Sequence, residues 1–238
     1  ESSFLGALRL TETVSAFCWF VVLVVFLSSH EKERITIRTT ILVSMDFNKF
    51  KRRISKIENL ELLGESSQFK MSPPFRKELI DKNREKMKTA KRAGVLALFY
   101  PDSKNETRLI LILRKTYKGV HSAQVGFPGG KVEIEDVDLR QTALRETEEE
   151  IGVPTEAISV KKAMSPLYIP PSNFTVFPFV GITEKTPRFI KEEAEVEDIL
   201  EVKLIDFLNE NNSIETGVMT TLKKELVVPA FRLNGHHV

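Results

Sequence analysis

The chain has 238 residues, 42% of them hydrophobic and 29% charged. That suits one packed domain with extensions and argues against wholesale disorder. Lys plus Arg is 35 against 33 Asp plus Glu, a net charge of +2, too little for a general nucleic-acid binder. The single cysteine, Cys18, and only four histidines exclude an intrachain disulfide framework and a multi-cysteine zinc site. A bound metal would have to rest on carboxylates, which favours a hard cation such as magnesium.

Residues 1–44 read as an apolar extension. No charged residue occurs from Thr13 to Ser29, and Phe17 to Leu27 reads FCWFVVLVVFL. The run sits at the lower limit for a membrane span. It lacks the basic front and small-residue cleavage site of a signal peptide. Two readings stand: a weak anchor, or an extension foreign to a working protein that starts near Met45. On the second reading the protein is cytoplasmic, and only residues 13–29 argue for a membrane.

Residues 45–92 are expected to form an N-terminal helical segment. Phe47, Phe50, Ile54 and Ile57 recur at helical spacing over 46–63. Ser72-Pro73-Pro74 breaks the chain, and a second helix rich in Lys and Arg is predicted over 75–92. Its basic residues, with Lys51-Arg52-Arg53, read as solvated faces rather than a phosphate site. After Gly94 the pattern changes to strands. Residues 95–100 and 108–113 flank PDSKNE as a hairpin. The main domain is expected over 93–238.

The most informative stretch runs from Gly126 to Pro154, GFPGGKVEIEDVDLRQTALRETEEEIGVP. Asp136 is the expected N-cap of a helix that ends near Ile151, stopped by Gly152 and Pro154. Ala143, Leu144, Thr147 and Ile151 are expected to share one side, with Glu146, Glu149 and Glu150 opposite. Such an acidic face could serve solubility alone, but it carries a cost. Like-charge pairs at i,i+3 and i,i+4 are unfavourable by about 0.2–0.5 kcal/mol each. Acids in the last turn oppose the helix dipole by roughly 0.3–1 kcal/mol each. Arg145 relieves Glu149 through its i,i+4 spacing and cannot neutralise the rest. One or more divalent cations would, and an oxygen-lined site open to water suits phosphoryl chemistry.

The same stretch resembles the signature of Nudix hydrolases, G-x5-E-x7-R-E-U-x-E-E-x-G-U, with U a bulky apolar residue. Gly130 matches its first glycine; Arg145-Glu146, Glu149-Glu150, Gly152 and Val153 match its second half. The first glutamate falls on Val137, with Asp136 one residue earlier, and the first U is Thr147. Upstream, LILRKTYKGVHSAQVGFPGG (Leu111 to Gly130) resembles the motif L-L-T-x-R-S-x3-R-x3-G-x3-F-P-G-G of the coenzyme A diphosphatase branch. Arg114, Phe127, Pro128, Gly129 and Gly130 match it. Lys115, Gly119 and Ala123 depart from it, and Lys118 stands beside the missing arginine. That branch tends to carry an aspartate where Asp136 stands. SPLYIPPSNF (Ser165 to Phe174) is similar to its Tyr-Ile-Pro-x-Ser-Asn segment. Family members continue into a closing helix, so the domain is expected to lack it, and His236-His237 reads as native sequence.

The resemblance implies an α/β fold, a Nudix-type α/β/α sandwich with a mixed sheet, here preceded by N-terminal helices. It implies attack of water on a diphosphate, with Mg2+ or Mn2+ held by Glu146, Glu149, Glu150 and the Gly130 carbonyl. Arg145 would orient the glutamates. Glu149 and Glu195 are candidate general bases; a solvated loop is the blander reading of the acidic run around Glu195. Arg114, Lys118, Phe127 and Gly129 are the expected substrate-binding residues. For Arg114 a surface salt bridge is an equal alternative. Tyr168 and Phe174 could stack on adenine or simply fill the core, and His121 reads as a loop residue. The implied partner is a small molecule like coenzyme A, split to 4′-phosphopantetheine and 3′,5′-adenosine bisphosphate, with no nucleic acid. Two alternatives stay open: a hydrolase of ADP-ribose or a dinucleotide, and a Nudix-like module that senses a nucleotide without cleaving it. Oligomeric state is not legible.

Overall fold

The runs VLALFY and LILIL are apolar at every position, the pattern of strands covered on both faces. The computed structural model describes residues 45–56, 61–62, 68, 72, 75–115, 125–170, 172–219 and 225–238. In it the two runs lie within β1 (Lys91–Pro101) and β2 (Thr107–Arg114), an antiparallel hairpin as expected. The apolar run 13–29, Ile57, Lys118 and His121 lie outside the described residues. No helix among the described residues is long and apolar enough to cross a membrane.

Among the described residues, the helices α1 (Phe47–Ile54), α2 (Arg76–Lys82) and α3 (Arg84–Met87) precede the sheet. The helix expected over 75–92 is therefore interrupted at Asn83, and β1 already begins at Lys91. The reason is tertiary: Lys91 N–H donates to Asn173 O at 2.9 Å, which commits the chain to the sheet. Several basic side chains of α2 and α3 pair with nearby acids, as in Lys82–Glu78 at 2.6 Å and Arg84–Asp81 at 2.6 Å, whereas Arg76 is buried and donates to Tyr168 O at 2.9 Å. The exposed pairs match solvated faces, with each such pair worth only a few tenths of a kcal/mol.

After β2 come β3 (Val125–Gly126), β4 (Gly129–Lys131) and α4 (Leu139–Ile151). Then follow β5 (Ser159–Ala163), β6 (Leu167–Ile169), β7 (Phe174–Ile182) and β8 (Val196–Lys203). The sheet runs β3-β2-β1-β7-β5, with β4 on β1, β6 on β7 and β8 on β2. The β1–β7 pair is parallel and the others are antiparallel, so the sheet is mixed. A parallel pair needs a long crossover, which α4 and β5 provide.

Alternation along β1 divides the core. Leu96, Leu98 and Tyr100 pack with Leu139, Ala143 and Ile151 of α4. Ala97 and Phe99 face the other way and pack with Phe47, Phe50 and Ile54 of α1 and with Leu204 and Phe207 of α5 (Leu204–Leu208). Helices therefore cover both faces, giving the α/β/α sandwich. Phe50 and Phe99 pack with tilted rings, centroids 4.8 Å apart, and the Met45 carbonyl accepts from Thr107 N–H at 3.1 Å. Met45, Phe47, Phe50 and Ile54 are thus part of the domain core. A three-stranded antiparallel sheet of β9 (Ser213–Met219), β10 (Glu225–Leu233) and β11 (His236–His237) adds Phe231 and Leu233 to the α1 side.

Candidate active site

The site is built around α4. Its N-cap is Asp138, whose side chain accepts from Gln141 N–H at 2.7 Å. This corrects the expectation that Asp136 caps the helix. The helix begins two residues later, which frees the Asp136 carboxylate for other partners. Gly152, at φ 70°, closes the helix as expected, its N–H donating to Glu148 O at 2.8 Å.

Asp136 instead anchors Arg145. Arg145 Nε donates to Asp136 Oδ1 at 3.0 Å and Nη2 to Oδ2 at 3.1 Å. Asp136 also accepts from Thr142 Oγ1 and from Glu133 N–H, each at 2.9 Å. The guanidinium beside it pulls the Asp136 carboxyl down to about 2. The rest of Arg145 reaches Glu149 Oε2 at 2.8 Å, Glu146 Oε1 at 3.0 Å and Lys131 O at 3.3 Å. Asp136, in turn, holds Arg145 further into the charged form. Arg145 is a hub that contacts two of the motif glutamates.

Glu150 does not share the exposed face on which it was expected; it is 1% exposed. At 100° per residue, seven positions bring it to within about 20° of Ala143, so it turns toward the sheet. Gly129 N–H donates to its Oε2 at 2.8 Å. Its Oε1 is buried, makes no hydrogen bond, and lies 2.9 Å from Arg114 Nη2. Arg114 Nη2 also donates to the Gly129 carbonyl. Burial pushes the Glu150 carboxyl up to about 7 against the pull of Arg114 and Gly129 N–H, with Glu146 and Glu195 adding to the rise. Burial likewise raises Glu146.

Glycine is required at Gly129, and at Gly130 a side chain would displace the Glu146 carboxylate. Gly129 has φ 145°, and a Cβ on it would stand 2.3 Å from Gly94 O. A Cβ on Gly130 would stand 2.2 Å from Glu146 Oε2. The backbone of β4 thus lies directly against the motif carboxylates. Phe127 is 5% exposed and belongs to the core. Tyr168 is also buried, its hydroxyl bonded to Asn173 Oδ1 at 2.9 Å, and Phe174 is half-buried beneath Lys91.

The acidic loop before β8 is tied to this centre by its backbone. Ile190 N–H donates to Ile151 O at 2.9 Å and Glu192 N–H to Glu150 O at 3.0 Å. Lys115 N–H donates to Glu195 O at 2.8 Å. Glu195 is exposed, beside the pair formed by Arg114 and Val196 across β2 and β8. A cleft of about 450 Å³ follows the outer side of α4, lined by Val137, Arg140, Leu144, Arg145, Glu149 and Thr155 among others. Neither Glu146 nor Glu150 lines it, so it borders the carboxylate centre without containing it.

The family profile described as the NUDIX domain matches residues 90–220. The chain belongs to the Nudix family.

Among known relatives, an uncharacterized Nudix hydrolase NudL of Yersinia enterocolitica is 39% identical over 103 residues, covering 43% of this chain and 52% of the relative. Nudix hydrolase 15, mitochondrial, of Arabidopsis thaliana is 35% identical over 124 residues, covering 51% of this chain and 43% of the relative. The chain spans about half the length of the curated relatives it matches. Solved structures that align with it include a C. elegans Ap4A hydrolase binary complex. That match has a TM-score of 0.40 and 18% identity, over 49% of this chain and 82% of the other. The NUDIX domain of Shewanella oneidensis NrtR complexed with ADP ribose aligns with a TM-score of 0.40 and 19% identity, over 50% of this chain and 76% of that one.

In the Nudix signature of this chain, Val137 takes the place of the first glutamate and is 88% exposed. Asp136 supplies the acid from one residue earlier. Sequence reasoning singled out Asp136 and missed its partner; an acid nine residues before the motif arginine was the available signal. The carboxylates offer only oxygen donors, and Glu150 Oε1 is a buried oxygen with no hydrogen bond, which suits a hard cation. Among the described residues no three His, Cys, Asp or Glu side chains converge on one metal position. Glu149, 56% exposed, turns to Arg145 instead.

Proposed function

We propose that this Nudix chain is a metal-dependent hydrolase that cleaves the diphosphate of coenzyme A or its derivatives. The products would be 4′-phosphopantetheine and 3′,5′-adenosine bisphosphate. The observation that carries its metal-dependent part is Glu150, a buried carboxylate against Gly129 with one oxygen lacking a hydrogen bond; the coenzyme A part rests on the upstream motif at Arg114 and Phe127 to Gly130. A chain selected only to fold has no use for that desolvation cost. Nudix hydrolases generally use divalent metal ions; here Mg2+ or Mn2+ would be held by Glu146 and Glu150, with Glu149 and the Gly130 carbonyl as further oxygens. Bound there, the ion would neutralise phosphoryl charge and lower the pKa of the attacking water.

The chain's own groups do the rest. Arg145, held by Asp136, fixes Glu146 and Glu149. Glu195, on a loop tied by its backbone to α4, and Glu149 are the two candidates for the general base. Arg114 ends β2 beside the Gly129 turn and offers its guanidinium to a substrate phosphate. Lys118 would add a second cation. Phe127 would act from the core, shaping the Gly129 turn whose backbone borders the substrate. A cytoplasmic location is part of this proposal.

The substitutions Lys115, Gly119 and Ala123 in the upstream motif favour a second reading, a Nudix hydrolase of ADP-ribose or a dinucleotide. Coenzyme A hydrolysis in 18O-labelled water with Mg2+ or Mn2+, followed by mass spectrometry, tests the first. The expected result is the two named products with one 18O in one of the phosphates. Cleavage of ADP-ribose with coenzyme A left intact would leave only the second reading.

A further inference from the structure

A buried carboxylate needs a positive partner or a proton. The two oxygens of Glu150 meet that need differently. Oε2 takes the Gly129 N–H, a fixed backbone donor. Oε1 has only the charge of Arg114 Nη2 at 2.9 Å, without hydrogen-bond geometry. The hydrogen bond from that nitrogen goes to the Gly129 carbonyl instead. Arg145 makes the contrast. It has two bonds to Asp136 and others to Glu146, Glu149 and Lys131 O, and its side chain is 23% exposed. Arg114 is 39% exposed and reaches Glu150 from the end of β2. One arginine is locked in place; the other is held loosely on the oxygen that a hard cation would choose.

We propose that Arg114 is an exchangeable counter-ion. It neutralises Glu150 in the metal-free chain, yields Oε1 to a divalent cation, and then turns outward to hold an anionic substrate. The proposal rests on the metal-dependent reading given above. Exchange follows from charge. Two cations on one buried carboxylate oxygen repel strongly at low dielectric, so the one with a route to solvent leaves. Metal affinity is then reduced by the fraction of time Arg114 holds Glu150. By linkage, metal binding raises affinity for the anion that Arg114 meets next. Arg114 is thus a positioning residue before metal binds and a substrate contact afterwards.

Mn2+ binding by calorimetry, without substrate, tests this on the wild-type chain and on Arg114→Gln. The variant is expected to bind Mn2+ roughly ten- to hundredfold more tightly, the worth of one lost charge contact. Equal or weaker binding by a folded variant would overturn the proposal while leaving the metal-dependent reading standing. If neither chain binds Mn2+, that reading fails and the exchange falls with it. A second measurement needs no variant. The Arg114 Nε–H resonance of the wild-type chain should move on addition of Mg2+, and inorganic phosphate should move it further only with Mg2+ present. A resonance indifferent to Mg2+, or a phosphate response without it, also overturns the proposal.

Discussion

Glu150→Gln separates what the site costs from what it does. A carboxyl raised from 4.5 to about 7 weakens the folded chain, because the unfolded chain ionises more easily. The sign follows: stability from this group is fully present below pH 4.5 and is lost as pH rises through 7. The full loss is on the order of 3 kcal/mol. Gln keeps an oxygen for Gly129 N–H, which donates to Glu150 at 2.8 Å, and removes the charge. In chelator at pH 8 the variant should therefore be the more stable chain, by up to roughly 6–12 °C in Tm. At pH 5 the two should converge, and Mg2+ should stabilise the wild type more than the variant. Turnover with Mg2+ should fall by about two orders of magnitude or more, as expected when a metal-binding charge is removed. The assay is a set of melts at pH 5 and 8, with chelator or Mg2+, beside initial rates. A variant less stable than wild type at pH 8 in chelator would refute the reasoning, since Glu150 would then be gaining more from Arg114 than burial takes away.

Asp136→Asn should lower stability at pH 7 by about 2 kcal/mol, the worth of a carboxyl moved from 3.8 to about 2. That advantage is present above pH 3.8 and shrinks as pH falls through 2, so urea titrations at pH 7 and pH 3 should show a smaller gap at the lower pH. Gly130→Ala places a methyl 2.2 Å from Glu146 Oε2; kcat should fall at least tenfold while the far-ultraviolet spectrum stays unchanged. Phe50→Ala, at a ring with 0% exposure, should cost about 3–5 kcal/mol in urea unfolding. A neutral result there would mean that α1 is not part of the core.

The mixed-sheet sandwich was legible in the sequence, and the site was legible as an acidic motif on one helix. The cost of clustering Glu146, Glu149 and Glu150 on one helix can be read from spacing alone, as can the hairpin around PDSKNE. Three things could not be read so simply. The burial of Glu150 follows from an angular sum that its acidic neighbours obscured. The Asp136–Arg145 pair joins a loop to a helix, and local capping rules favoured a different role for the acid. The parallel pairing of β1 with β7 and the bonds from Ile190 and Glu192 to the end of α4 are backbone contacts over long separations, which side-chain patterns do not encode. The helical stretch expected over 75–92 ends early for the same reason, because sheet pairing at Lys91 overrode its helical composition.

The most direct test of the account is competition between coenzyme A and ADP-ribose in one reaction, with Mg2+ and with chelator. On the proposed reading the 3′-phosphate of coenzyme A would offer Arg114 a contact that ADP-ribose lacks, worth roughly 1.5–3 kcal/mol, or about one to two decades in kcat/KM. Coenzyme A should be consumed first by that margin, and neither substrate should be consumed in chelator. Preferential loss of ADP-ribose, or turnover that survives chelation, would contradict the account.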